Sequence, residues 1–109
     1  TAMDQPLGTA VGNALEIREC LDLLQGRGPA DATAVVRRLA GRMLVLGGVA
    51  SDTDAGIVLA DRAVASGAAI ERFQRMVEAQ GGDPRVAEDP SRLPSVSTVN
   101  EITDGMPAF

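Results

Sequence analysis

A short glycine-flanked loop and a single glutamate are the groups of this 109-residue chain best suited to bind a ligand. Gly8 and Gly12 bracket the loop, and glycine lets a backbone adopt positive φ or approach another group closely. We interpret the loop as built to hold a ligand or another piece of protein. Glu19 follows on a predicted helix, with Leu15 and Leu23 one turn away on either side. A carboxylate in an apolar stripe needs compensation, so Glu19 is either an ordinary exposed glutamate or the holder of a cation or charge partner.

The composition argues against several classes of function. The formal net charge is −5, arginine is the only cationic residue type and aromatic residues make up 2% of the chain, so no nucleic acid is expected as a partner. The chain has no histidine, the commonest general base and metal ligand, and a self-contained hydrolase or zinc site is therefore not expected. No apolar run approaches the roughly 18 residues of a membrane span, so no membrane partner is expected. The single cysteine, Cys20, indicates a reducing compartment and a cytoplasmic protein.

Two other features have ordinary structural interpretations. The run from Asp52 to Gly56 begins like a calcium loop, but its glycine comes one position too early. We therefore predict that this run caps a helix. Cys20 is predicted to pack in the core, because no histidine or neighbouring basic residue would activate its thiol.

Arg37, Arg38 and Arg42 form a modest basic group on the second predicted helix. We predict that they lie on a solvated face and pair with Asp31 or with glutamate side chains. An anion contact or a salt bridge to another domain is the alternative.

Four helices and an irregular tail are predicted from the spacing of apolar residues. The helices should run over about residues 13–25, 30–46 and 68–80, with a third helix from a cap at Ser51 or Asp52 to about residue 65, and each should end at a glycine-containing turn. The first should begin at Asn13 or Ala14, with Glu16 as the carboxylate of a capping box. Residues 95–102 alternate weakly enough to form a lone strand, which would need a partner sheet. The predicted fold class is therefore mainly α, with about four short helices.

The packing of the first two helices can be predicted from their apolar positions. The first helix has apolar residues on two sides and should lie antiparallel to the second, because the turn between them is short. Gly41 is predicted on the wet side of the second helix. The buried face of that helix is predicted to consist of Ala32, Val35, Val36, Leu39, Met43 and Leu46.

The most distinctive stretches of the chain are MDQPLG at residues 3–8 and AVGNALEIRE at residues 10–19. Shorter stretches follow at residues 28–29, 43–44, 66–69, 73, 76–77 and 79–83. Together these stretches resemble the thymidine phosphorylase/pyrimidine-nucleoside phosphorylase family, and the resemblance covers most of residues 1–94. Cys20 departs from the family pattern, and the match fades after Pro94.

This resemblance implies that the chain is part of a larger, homodimeric enzyme with a helical domain, an α/β domain and a C-terminal β-rich domain. Residues 1–84 would be the helical part of the α/β domain, and residues 85–109 a linker or tail leading toward the β-rich domain. The family cleaves a pyrimidine nucleoside with phosphate to give the free base and a pentose 1-phosphate. Its phosphate- and base-binding residues lie upstream and have no counterpart here. The segment alone is therefore expected to be inactive and to need the remainder of the phosphorylase polypeptide.

A potassium-type cation site is what the resemblance implies for the glycine-flanked loop. In bacterial members the site takes backbone carbonyls that match Leu7 and Ala10 and a carboxylate that matches Glu19. Oxygens of the phosphate-holding loop complete it, so this chain would carry half of the site. Oxygen ligands suit a hard cation, and the cation would tie this loop to the one that holds phosphate.

A second hypothesis is a non-enzymatic helical interaction module derived from the same family. Such a module would bind a partner through faces that its parent buries. The leucines on two sides of the first helix favour this hypothesis, and a large exposed apolar patch or a stable dimer would support it.

Overall fold

Four α-helices and two short 3-10 helices form the computed structural model, which describes residues 4–102. The α-helices are α1 (Asn13–Leu24), α2 (Ala30–Leu46), α3 (Thr53–Ala65) and α4 (Ala68–Ala79), and the 3-10 helices span Pro84–Ala87 and Pro90–Arg92. The predicted mainly α fold is confirmed, and all four predicted helices are present. Residues 4–102 contain no strand, so the lone strand predicted at 95–102 is wrong, because no neighbouring strand is there to pair with it.

Side chains cap the first turns of α1 and α3. Asp52 precedes α3 and accepts a hydrogen bond from the Ala55 N–H at 2.8 Å, as predicted. Glu16 Oε1 accepts a hydrogen bond from the Gly12 N–H at 3.2 Å, so Glu16 caps α1 as predicted, but the N-cap residue is Gly12 and the predicted capping box with Asn13 is not formed. Asn13 is the first residue of α1 rather than a side-chain cap.

The most extensive helix contact joins α2 to α3, and it is centred on two glycines. Gly41 of α2 and Gly56 of α3 are buried, and a β-carbon added to Gly56 would lie 2.8 Å from the Gly41 Cα. The prediction that Gly41 is exposed to solvent is wrong, because glycine has no side chain and lets the backbones of α2 and α3 meet there. This contact turns much of the predicted buried face outward, so that Leu39, Met43 and Leu46 are 58%, 69% and 87% exposed. We predicted that α2 packs against α1, but the main contact of α2 is with α3.

An ion pair joins the same two helices. The Arg37 guanidinium donates two hydrogen bonds to Asp61 of α3, with Nε–Oδ1 and Nη2–Oδ2 distances of 2.7 and 2.6 Å. These bonds hold the pKa of the Asp61 carboxyl below its usual value. The predicted solvated face is confirmed for Arg38 and Arg42, which are exposed. The partner of Arg37, however, is Asp61 rather than Asp31 or a glutamate.

The core of the described residues is very small. Leu21 of α1 is 1% exposed, and the other buried apolar side chains within residues 4–102 are those of Ala32 and Ala87. The radius of gyration is 16.4 Å, against about 13 Å for a compact domain of this size. The predicted core packing of Cys20 is wrong, because Leu21, about 100° further round α1, takes the buried position and leaves Cys20 exposed. The helices therefore leave much apolar surface uncovered.

The segment after α4 is held by Asp83 and by a contact with α1. Asp83 accepts hydrogen bonds from the Arg85 side chain and backbone N–H, and these bonds, with the charge of Arg92 nearby, lower the pKa of Asp83 to about 2. Arg18 of α1 donates a hydrogen bond to the Pro90 carbonyl oxygen at 3.3 Å. The 3-10 segment thus packs back on the helices that precede it.

Candidate functional site

Glu19 is hydrogen-bonded to the glycine-flanked loop. Its Oε2 accepts one hydrogen bond from the Thr9 N–H at 2.9 Å and another from the Thr9 hydroxyl at 2.8 Å. The side chain is partly exposed, and α1 directs it toward the loop rather than into water. Of the two interpretations of Glu19, an ordinary exposed glutamate does not describe this position, because both Thr9 donors converge on its carboxylate.

Gly8 allows the Glu19 carboxylate to reach the loop. Its φ is +75°, in the region that favours glycine. A β-carbon added to Gly8 would lie 2.8 Å from the Glu19 Cδ and would overlap one of its carboxylate oxygens. Glycine is therefore required here for the turn, and its missing side chain leaves room for the carboxylate.

A second carboxylate, which the sequence pattern did not single out as part of this site, holds the loop from the other side. Asp31 lies in the first turn of α2, and its Oδ2 accepts a hydrogen bond from the Gly8 N–H at 2.9 Å. Hydrogen bonds from the backbone N–H groups of Gly8 and Ala32 hold the pKa of the Asp31 carboxyl below its usual value. No local signal could have identified this contact, because 23 residues separate its two partners. The sequence showed only that Asp31 is an acidic residue in the first turn of a predicted helix, where such residues are common.

The three residues proposed as cation ligands lie close together in the chain, but they do not all line one cavity. Ala10 and Glu19 line a shallow pocket of about 460 Å³ together with Thr9. Leu7 is not among the residues that line this pocket, and its side chain is 51% exposed. It adjoins Gly8, the residue that Asp31 and Glu19 approach from two sides. The structure thus brings Ala10 and Glu19 together and leaves Leu7 at the edge.

The oxygen atoms at this loop suit a hard cation of low charge. Within residues 4–102, Glu19 Oε1 accepts no hydrogen bond and no arginine lies within ion-pair distance of Glu19. The same residues contain no cluster of three or more His, Cys, Asp or Glu side chains that could hold a metal ion. A carboxylate oxygen is a ligand for a hard cation rather than for a soft transition metal. The Glu19 carboxylate is therefore of the chemical type that a potassium-type ion would take.

A large apolar groove lies away from this loop. It runs between the helices, and its volume is about 650 Å³. Its lining is almost entirely apolar and includes Leu23, Leu24, Val36, Ala40, Met43, Leu44, Ala60 and Val64. A groove of this kind is the surface that a partner or another part of the same polypeptide would cover.

The chain was compared with protein-family models and with known proteins. No family model matches the chain. Pyrimidine-nucleoside phosphorylases of Staphylococcus aureus strains USA300 and NCTC 8325 are each 46% identical to it over 92 residues, which is 84% of this chain and 21% of each relative. The chain resembles a segment of a pyrimidine-nucleoside phosphorylase. It spans about a fifth of the length of these relatives.

A small core with uncovered apolar faces is typical of a segment of a larger protein. A helical piece of a larger protein buries its apolar faces against other parts of that protein, whereas an independent domain of this size buries them itself. The exposed groove and the single fully buried leucine are what a segment would have. None of the helices within residues 4–102 is long and apolar enough to cross a membrane.

Proposed function

We propose that this chain is the helical segment of the α/β domain of a pyrimidine-nucleoside phosphorylase. The whole enzyme cleaves a pyrimidine nucleoside with phosphate as co-substrate and releases the free base and a pentose 1-phosphate. The observation that carries the proposal is the 46% identity over 84% of the chain, within only 21% of each relative. The segment supplies scaffold and is inactive alone. The remainder of the polypeptide provides the phosphate and base contacts, and the enzyme is a cytoplasmic homodimer.

Within that enzyme, the segment carries half of a monovalent-cation site. The backbone carbonyls of Leu7 and Ala10 and the carboxylate of Glu19 would hold potassium. When bound, the ion neutralises the Glu19 carboxylate and links this loop to the one that holds phosphate. Two observations support this role: Glu19 Oε1 accepts no hydrogen bond from residues 4–102, and the carboxylate fits tightly against Gly8. The function of the site is structural, and no reacting group belongs to it.

The apolar groove is covered by the remainder of the phosphorylase polypeptide. Its lining comes mainly from α1, α2 and α3, and exposed side chains such as Met43 extend the apolar surface. Such a surface in water would favour association with another apolar face. The same observation favours the second candidate, a non-enzymatic module whose groove binds a separate protein.

A chimeric enzyme tests the proposal directly. In this chimera, the present chain replaces the matched 92-residue segment of the Staphylococcus aureus phosphorylase. We expect the chimera to release uracil or thymine from the nucleoside only when phosphate is present, and the 109-residue chain alone to release neither. Chromatography of the free base measures both reactions, and the unaltered phosphorylase is the control.

Two outcomes would contradict the proposal. Phosphate-dependent release of base by the chain alone would mean that the segment is itself an enzyme. A chimera that is soluble and dimeric but inactive would mean that the segment no longer fits the phosphorylase. In that case, a stable self-associated form of the chain in sedimentation would favour the interaction module.

Replacing Glu19 with glutamine in the chimera tests the cation half-site. The amide oxygen can still accept a Thr9 hydrogen bond, but the negative charge is lost. Because charge and ligand strength set cation affinity, we expect the potassium concentration for half-maximal activity to rise by at least about tenfold. The KM for the nucleoside at saturating potassium should change much less. Titrations of activity with potassium chloride, at ionic strength held constant with a large organic cation, measure both quantities.

Glu16→Gln is the matched control, because Glu16 lies on the same helix and its side chain is hydrogen-bonded only to the Gly12 N–H among the described residues. It should leave the potassium titration unchanged. Equal losses of potassium activation and nucleoside binding in Glu19→Gln would rule out the cation assignment.

A further inference from the structure

Asp31 holds a peptide group whose other end is the Leu7 carbonyl. The Gly8 N–H that donates to Asp31 Oδ2 belongs to the same peptide group as that carbonyl. All peptide bonds within residues 4–102 are trans. The N–H and C=O of a trans peptide group point in opposite directions. A side chain that holds the Gly8 N–H therefore sets the direction of the Leu7 carbonyl oxygen.

The next peptide group of the loop is held in the same way. Glu19 Oε2 accepts the Thr9 N–H at 2.9 Å, while Asp31 accepts the Gly8 N–H at the same distance. Two carboxylates from two different helices thus hold two successive amide groups. The backbone between them turns at Gly8, where φ is +75°. The path of the loop depends on both helices, although only one of them carries a proposed ligand.

We propose that Asp31 is a positioning residue of the cation half-site. By accepting the Gly8 N–H hydrogen bond, Asp31 sets the direction of the Leu7 carbonyl oxygen. The same hydrogen bond connects α2 to the half-site. This inference rests on the proposed function, because it requires the half-site of Leu7, Ala10 and Glu19. Asp31 acts through its hydrogen bond to the Gly8 N–H, and its negative charge does not contribute to cation binding.

A purely structural role for Asp31 makes a different prediction. An acidic residue in the first turn of a helix stabilises that helix through its dipole. Asp54 occupies the corresponding position in the first turn of α3, and the loop is not among its hydrogen-bond partners within residues 4–102. Replacement of Asp54 would therefore reproduce a helix-dipole effect without any effect on the loop.

Three variants of the chimera separate these roles. In Asp31→Ala the acceptor is lost, and we expect the potassium concentration for half-maximal activity to rise about 10- to 100-fold, as for other residues that orient metal ligands. In Asp31→Asn a neutral acceptor remains, and most of the potassium affinity should return. Asp54→Ala should match the unmutated chimera. In all three, turnover and the nucleoside KM at saturating potassium should stay close to those of the unmutated chimera.

NMR spectroscopy tests the hydrogen bond directly and complements the potassium titrations of activity. In the 109-residue chain, the NMR resonance of the Gly8 amide proton should move upfield in Asp31→Ala, while that of Thr9 should move little. Should Asp31→Ala be insoluble in the chimera, Asp31→Ser takes its place. Serine favours a helix start, and its hydroxyl ends one bond short of the carboxylate oxygen.

Each result decides between the roles. An unchanged potassium titration in Asp31→Ala, or in Asp31→Ser, would overturn the positioning role while leaving the proposed function intact. Equal losses in Asp31→Ala and Asp31→Asn would also overturn it, because the charge rather than the hydrogen bond would then matter. An unmutated chimera that is active without any potassium dependence would overturn the half-site itself.

Discussion

Replacing Gly56 with alanine should lower the free energy of unfolding of this chain by about 1 to 3 kcal/mol, the usual cost of overfilling a packed contact. The new β-carbon would lie 2.8 Å from the Gly41 Cα and closer still to the Gly41 carbonyl oxygen. Both are backbone atoms, so relief requires α2 and α3 to move apart. Urea unfolding followed by circular dichroism at 222 nm measures the change.

The sign of this result is diagnostic, because alanine is ordinarily the better helix former. A glycine-to-alanine change inside a helix is otherwise favourable by about 1 kcal/mol. Gly47→Ala is the control: it lies at the C-terminal end of α2, its φ is −77°, and its added β-carbon would meet nothing closer than 3.4 Å. We expect this control to be neutral or slightly stabilising. A stabilised Gly56→Ala protein would mean that α2 and α3 do not meet at their glycines.

Replacing Leu21 with alanine should have the largest effect on stability, a loss of about 2 to 5 kcal/mol. Leu21 is the one large side chain within residues 4–102 that is less than 2% exposed, and the described core offers few other side chains that could fill the cavity. Because that core is so small, a loss of this size is expected to shift the urea midpoint strongly or to leave the chain unfolded in buffer.

Leu39→Ala is the matched control for this change. It removes the same atoms from a helix position that is 58% exposed, and surface substitutions of this kind usually change stability by no more than about 0.5 kcal/mol. Similar losses in the two variants would contradict the small core described above. In the chimera, by contrast, Leu39→Ala could be the more harmful change if the phosphorylase remainder covers that face of α2.

In the cation half-site that we propose, a few groups hold the glycine-flanked loop in place before any ion binds. Gly8 provides the turn and the space, Glu19 holds the Thr9 amide, and Asp31 holds the Gly8 amide. Each of these contacts is weak because it is exposed to water. Together they limit the orientations of the loop, which lowers the entropy lost when an ion binds.

The sequence by itself determined the local structure. The capping role of Asp52 and of Glu16 was predicted because each depends on residues only three or four positions away. The four helices and the glycines that end them follow from the same short-range rules. The stretch around the glycine-flanked loop also sufficed for the resemblance to the phosphorylases, because its residue types are unusual and closely spaced.

Only the tertiary structure decided which surfaces meet. We predicted that Gly41 lies on the solvent-exposed side of α2, because helical periodicity depends on side-chain hydrophobicity and cannot identify a contact between two backbones. Cys20 and Leu21 are adjacent and both apolar, and the position of the neighbouring elements determines which of them is buried. Asp31 reaches Gly8 across 23 residues. Contacts at such separations depend on how whole helices pack, and α2 packs against α3 through two glycines that side-chain periodicity does not identify.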